Sequence, residues 1–129
     1  MEDRKTYTTN TKWEKQVGYS RAVKVGNIIE VSGTTAMKDG KVVGEKDACK
    51  QAKYIFQEIE KALIALGSGL QDVIRTRMYV TDISNWEEIG RAHSEVFKDI
   101  APAATMVEVK ALIHPDLLVE VEVTAVTKK

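Results

Sequence analysis

The chain has a single cysteine, Cys49, so no disulfide can close within it. That usage fits a reducing compartment. Neither sign of charge is in excess: 19 Lys and Arg face 19 Asp and Glu, for a formal net charge of zero. Proteins that grip nucleic acid through its phosphates usually carry a basic surplus, so the balance argues against RNA or DNA as partner. The first 25 residues are mildly basic and read as a solvated edge. No apolar run approaches bilayer-spanning length, and the opening MEDRKTYTTNTK lacks the apolar core of a secretion signal. A cytoplasmic protein without a membrane partner is expected. Repeats, linkers and low-complexity segments are also missing. One domain over residues 1–129 follows, and at 43% apolar content it is large enough for a real core.

What is present is clearest near the C-terminus. Leu118–Val126 alternates strictly: Val119, Val121, Val123 and Ala125 share one strand face, and Glu120, Glu122 and Thr124 the other. Thr105–Lys110 reads as a second strand, with Val107 and Val109 on its apolar face and Met106, Glu108 and Lys110 on its charged one. A short connection containing His114-Pro115-Asp116 joins the two.

Upstream, a short edge strand is expected near Lys5–Thr9, then strands over Val17–Val25 and Asn27–Ser32 around a Gly26-Asn27 turn. Asp39-Gly40 marks a tight hairpin. A helix over Lys46–Leu66 follows from one stripe: Ala48, Ala52, Ile55, Ile59, Ala62, Leu63 and Leu66, with Gly67 as its C-terminal cap. Val73–Thr81 is a strand alternating Ile74, Thr76, Met78 and Val80 with Arg75, Arg77 and Tyr79. A second helix over Asn85–Asp99 presents Trp86, Ile89, His93, Val96 and Phe97, capped by Ser84 or Asp82. Two amphipathic helices can cover one face of one sheet. The fold class is therefore α+β, a two-layer sandwich whose second sheet face carries Glu30, Ser32, Arg75, Arg77, Glu108, Glu120 and Glu122.

Most chemical motifs fail. Gly67-Ser68-Gly69 follows a helix instead of a strand and terminates it. His93 and His114 lack partners at metal-ligand spacing, so no metal site is expected, and His93 reads as a packed histidine. Cys49 reads as a buried small hydrophobe. Glu120 and Glu122 share a strand face; they are either a solvated edge or, in a cleft, a general base with a raised pKa.

Several stretches together resemble the RidA/YjgF family: Val17-Gly18-Tyr19-Ser20, Gly26-Asn27, Ser32-Gly33, the Val73–Arg77 strand with Thr81-Asp82, Pro102-Ala103, Val107-Glu108-Val109 and Glu120-Val121-Glu122. The resemblance runs in order from about Val17 to Val126. It implies a chorismate-mutase-like subunit with a mixed sheet, forming a homotrimer with ligand sites in the clefts between subunits. It further implies cofactor-independent hydrolysis of reactive enamines and imines, with a small molecule as partner; some family members are described as ribonucleases or translation inhibitors. Tyr19 and Ser32 match pocket positions, and Glu120 matches the glutamate that activates water. Ala104, Thr105 and Met106 fall on the segment that binds substrate. The family's deaminases carry an arginine after Pro-Ala to pair with a substrate carboxylate; here that position is Ala104. A frequent asparagine aligns with Gly90. The resemblance thus leaves a small-molecule hydrolase with altered substrate choice, or a non-catalytic metabolite-binding trimer.

Overall fold

A computed structural model describes residues 3–128. Strands β1 (Arg4–Tyr7), β2 (Ala22–Val25), β3 (Ile28–Thr35), β6 (Val73–Val80), β7 (Ala103–Glu108) and β8 (Val119–Val126) form one sheet in the order β1-β2-β3-β8-β6-β7. Only the β6–β7 pair is parallel, so the sheet is mixed. Helices α2 (Ala48–Ala65) and α3 (Trp86–Phe97) pack on one face. The result is the expected α+β arrangement of a sheet and helices.

The β8 alternation holds throughout. Val119, Val121, Val123 and Ala125 are buried, while Glu120, Glu122 and Thr124 lie half-exposed on the open face. All seven apolar positions of the α2 stripe are buried. Asp47 caps the α2 N-terminus by accepting from the Lys50 amide at 3.0 Å. At the other end Gly67 (φ 82°) donates to the Ile64 carbonyl and Ser68 to that of Leu63, a Schellman closure. In the β4–β5 hairpin (Met37–Lys38 and Lys41–Val42), Asp39 and Gly40 both take positive φ, as the tight turn requires.

Four expectations are corrected. Lys12–Val17 is a helix, α1, so β2 does not begin at Val17 but at Ala22. Thr11 and Glu14 form a capping box, and Gly18 at φ 87° ends this one-and-a-half-turn element, too short to show periodicity. The faces of β7 are reversed. Register pairs Met106 with the buried Met78, so Met106 packs on the core, while Val107 pairs with Tyr79 on the open face and is 41% exposed. Trp86, at the first turn of α3, is 57% exposed and leaves the stripe to Ile89, Ala92 and Phe97. Asp82 caps the preceding 3-10 turn, Ile83–Asn85, instead of α3.

Candidate functional site

Glu120 is the second residue of β8, and the pleat turns its side chain to the open face. Opposite it, the β3 register breaks between Val31 and Thr34, so Ser32 and Gly33 form a bulge. The Glu120 carboxylate settles onto the Gly33 backbone, in space that a β-carbon at residue 33 would occupy. No hydrogen bond reaches that carboxylate from the described residues. Burial pushes its pKa above the ordinary carboxylate range; Arg21 opposes this and Glu122 reinforces it. A partly desolvated carboxylate with free lone pairs is suited to take a proton from water.

Arg21 sits beside it but is already engaged. Its Nη2 donates to the Gly33 carbonyl at 2.9 Å and its Nη1 to Thr34 Oγ1 at 3.4 Å. Nε lies 3.9 Å from Glu14 Oε2, and the guanidinium stands over the Tyr19 ring, 5.3 Å from its centroid. Glu14 is in turn held by the Thr9 amide (3.1 Å), Thr9 Oγ1 (2.7 Å) and Thr11 Oγ1 (2.8 Å). Burial raises the Glu14 pKa, but these hydrogen bonds outweigh it and the net direction is down. Glu14, Arg21 and the bulge thus form one chain of contacts ending at Glu120. Glu14 escapes sequence reading because the chain closes through tertiary contact, with the Thr-x-x-Glu spacing of Thr11 and Glu14 as the available signal; Arg21, which the sequence offers as a substitute carboxylate clamp, is engaged here by Gly33, Thr34 and Glu14 instead.

Glu120 opens into a recess of about 620 Å³ that Tyr19, Arg21, Gly33 and Thr34 also line. Ser32 faces a smaller recess, about 390 Å³, on the other side of Tyr19, where its hydroxyl donates to the Ser20 carbonyl at 2.6 Å. Tyr19 borders both. Ala104, Thr105 and Met106 line neither; they lie on β7, the far edge strand, two positions from β8. Thr105 Oγ1 accepts from Arg75, while Ala104 pairs with Thr76 and points toward the helix layer. Arg77 lies 3.8 Å from Glu122, which also accepts from the Tyr79 hydroxyl at 3.0 Å.

The recess wall depends on one residue that sequence patterns did not single out. Gln51 is fully buried on α2; its Nε2 donates to the Gly44 and Asp116 carbonyls and its Oε1 accepts from the Leu118 amide. It pins the connection that carries Ile113 and His114, both on the recess wall. His93 is packed, as expected. It touches Phe56 and Phe97 edge-on or tilted, hydrogen-bonds Thr76 Oγ1 at 2.9 Å, and its pKa is lowered by burial. Cys49 is only partly buried against the core. Among the described residues no group of three or more His, Cys, Asp and Glu is arranged to hold a metal ion, and no helix is long and apolar enough to cross a membrane.

The sequence profile of the family described as Endoribonuclease L-PSP matches residues 9–127. The chain is a member of the RidA/YjgF family. It is 38% identical to an uncharacterized protein of Streptomyces coelicolor, over 88% of this chain and 84% of that one. It is 34% identical to a RutC family protein of Pyrococcus abyssi, over 86% of this chain and 88% of that one. The crystal structure of the Mycobacterium tuberculosis protein Rv2704, a YjgF family member, superposes with a TM-score of 0.89 at 44% identity, covering 97% of this chain and all of that one. Within this RidA/YjgF framework, the chain brings Tyr19 and Glu120 together and leaves the Ala104–Met106 segment at the far sheet edge.

Proposed function

We propose that this RidA/YjgF protein is a homotrimer that hydrolyses a small imine or enamine in clefts between subunits, without a cofactor. The observation that carries the reading is Glu120: a carboxylate with a raised pKa and no hydrogen bond from the described residues, held on the Gly33 bulge at the mouth of a recess. Glu120 takes a proton from water as the water oxygen bonds to the imine carbon. That proton passes to nitrogen to give a carbinolamine; Glu120 then takes the carbinolamine hydroxyl proton and delivers it to the same nitrogen as the carbon–nitrogen bond breaks, so a carbonyl compound and ammonia leave with Glu120 restored. Ala104 offers a methyl group where an arginine would pair with a carboxylate, so the substrate is one without that group.

Trimerisation is supported by the sheet itself. Its open face exposes Val25, Ile28 and Val107 among the Arg75, Arg77 and Glu122 side chains, a mixture suited to a subunit interface. Desolvated ion pairs add little net association energy, so these apolar side chains supply most of it. Closure of three sheets would also bring a neighbour's β7 edge toward Glu120. Light scattering should give three times the mass of one chain; a monomer at micromolar concentration overturns this part.

The catalytic test generates an imine without a carboxylate in situ and follows its loss. Wild-type protein should accelerate the loss and Glu120→Ala should not. If wild type has no effect on any imine, the second reading, a non-catalytic metabolite-binding trimer, replaces the first; it draws on the same Ala104 methyl. The zero net charge weighs against a ribonuclease.

A further inference from the structure

The chain has two Phe, four Tyr and two Trp. Phe56 and Phe97 are in the core. Of the six others, four meet at one place: Tyr7 from β1, Trp13 from α1, Tyr19 after α1 and Tyr54 from α2 all line the Glu120 recess. They come from separate elements, so no single helix stripe explains the gathering. Trp13 is 40% exposed and contributes nothing to the core cluster.

The charges on the same wall lean one way. Asp39 and Glu58 join Glu120, against Arg21 and Lys38, and Glu58 shares its charge with Lys61 at 2.9 Å. Arg21 is committed to Gly33, Thr34 and Glu14, and Lys38 and Asp39 are both exposed on the β4–β5 hairpin, where water screens them alike, so Glu120 is the carboxylate that sets the sign of the recess. The rings already attract cations: Lys12 Nζ stands 4.9 Å from the Trp13 centroid and the Arg21 guanidinium 5.3 Å from that of Tyr19. Ring faces and carboxylates favour the same kind of ligand, a cation bearing an aromatic group, through stacking, cation–π attraction and Coulomb attraction. A volume of about 620 Å³ accepts such a molecule.

We propose that the recess binds an arylalkyl iminium or the corresponding protonated arylalkyl amine, its ring among Tyr7, Trp13, Tyr19 and Tyr54 and its nitrogen toward Glu120 and Glu58. This names the substrate class for the hydrolysis proposed above and rests on that reading for its chemistry, though not for its binding. A protonated imine is also the more electrophilic form, so a site that favours the cation favours water attack.

The test is calorimetric titration of the full chain with three probes: phenethylamine, 3-phenylpropanoate and butylamine. The second has the ring with the opposite charge, and the third has the charge without the ring. Phenethylamine should bind at least about tenfold more tightly than either, the effect of roughly one cation–π or stacking contact. Trp13→Ala and Glu58→Gln should each weaken it by about three- to tenfold. Both side chains lie outside the core cluster, and circular dichroism checks the fold. Equal affinity for the three probes, preference for the propanoate, or no measurable binding overturns the proposal, as does indifference of phenethylamine to both substitutions. If a variant fails to fold, the wild-type comparison of probes decides alone. Glu120→Gln should weaken phenethylamine binding by a similar three- to tenfold, because it removes a carboxylate facing the nitrogen, whereas it should abolish imine hydrolysis altogether. If wild type binds phenethylamine selectively yet hydrolyses no imine, the catalytic reading falls and the ligand class stands.

Discussion

The Glu120 carboxylate rests on the backbone of Gly33 in the neighbouring strand, and any side chain at residue 33 would collide with it. Gly33 is not at a positive φ, so the requirement is one of space, not of backbone conformation. Gly33→Ala should therefore fold, because the atoms it meets belong to the end of a flexible side chain. Its thermal midpoint should stay within a few degrees of wild type. Hydrolysis should fall about 100-fold, the effect of displacing a reacting group by roughly 1 Å. Unchanged turnover with a displaced carboxylate would remove Glu120 from the mechanism.

Glu120 should also show a conflict between stability and function. Its folded pKa is raised, chiefly by burial. A carboxyl group of that kind contributes stability in acid, and the contribution is lost as pH rises through its folded pKa. Glu120→Gln should accordingly raise the melting temperature at pH 8 and leave it nearly unchanged at pH 4, while abolishing hydrolysis. In wild type the hydrolysis rate should climb with pH along a limb lying above the ordinary carboxylate range. Equal melting shifts at both pH values would contradict the burial argument.

Glu14 behaves oppositely. Its pKa is lowered, so its stabilising effect is present above the ordinary carboxylate pKa and is lost as pH falls through the folded value. Glu14→Gln preserves the capping box but removes the charge beside Arg21 Nε, which is buried without a hydrogen bond. A loss of about 1–3 kcal/mol at pH 7 is expected, shrinking toward zero in acid. Denaturant unfolding at the two pH values measures it.

The sequence announced some of this and concealed the rest, for reasons that differ by element. The β8 alternation and the α2 stripe were legible because each buries one unbroken face. The β7 faces were not. Ala103–Glu108 has apolar residues on both sides, and only its parallel register with β6 decides which side meets the core. The bulge at Ser32-Gly33 likewise depends on β8 lying opposite; it turns Thr34 inward, out of phase with Ile29 and Val31. Tyr19 and Glu120 are legible in the sequence and share a recess, but Arg21 reaches Gly33 across 12 positions and Gln51 reaches Asp116 across 65, which no local pattern encodes.

Gln51 gives a test of that long-range bracing. It serves three backbone groups on two segments with one side chain. Gln51→Leu keeps the volume and leaves those groups unpaired, for a loss of about 2–4 kcal/mol. Amide exchange should accelerate most around residues 112–118, ahead of α2 itself. Uniform acceleration across the fold would mean that Gln51 supports the core as a whole.

Ala104 tests the assembly and the substrate choice together. In one subunit its side chain points toward the helix layer at the β7 edge, away from the Glu120 recess. An arginine there can serve Glu120 only if a neighbouring subunit brings its own recess to that edge. Arg21 cannot stand in, because its guanidinium is bound to Gly33, Thr34 and Glu14. Arg75 is occupied by Thr105 and Arg77 lies against Glu122. Wild-type protein should therefore hydrolyse a 2-imino acid poorly, and Ala104→Arg should gain on that substrate. Two charge-assisted hydrogen bonds to a carboxylate correspond to about 2–4 kcal/mol, or roughly 30- to 1,000-fold in kcat/KM. The gain should vanish in the double variant with Glu120→Ala. It should also vanish in Val107→Glu, which places a charge on the open sheet face and should dissociate the trimer. A gain that survives in a monomer would mean that Ala104 reaches Glu120 within one chain, against the geometry of the sheet. No gain in an intact trimer would mean that the cleft does not bring the two positions together, and the intersubunit site would have to be abandoned.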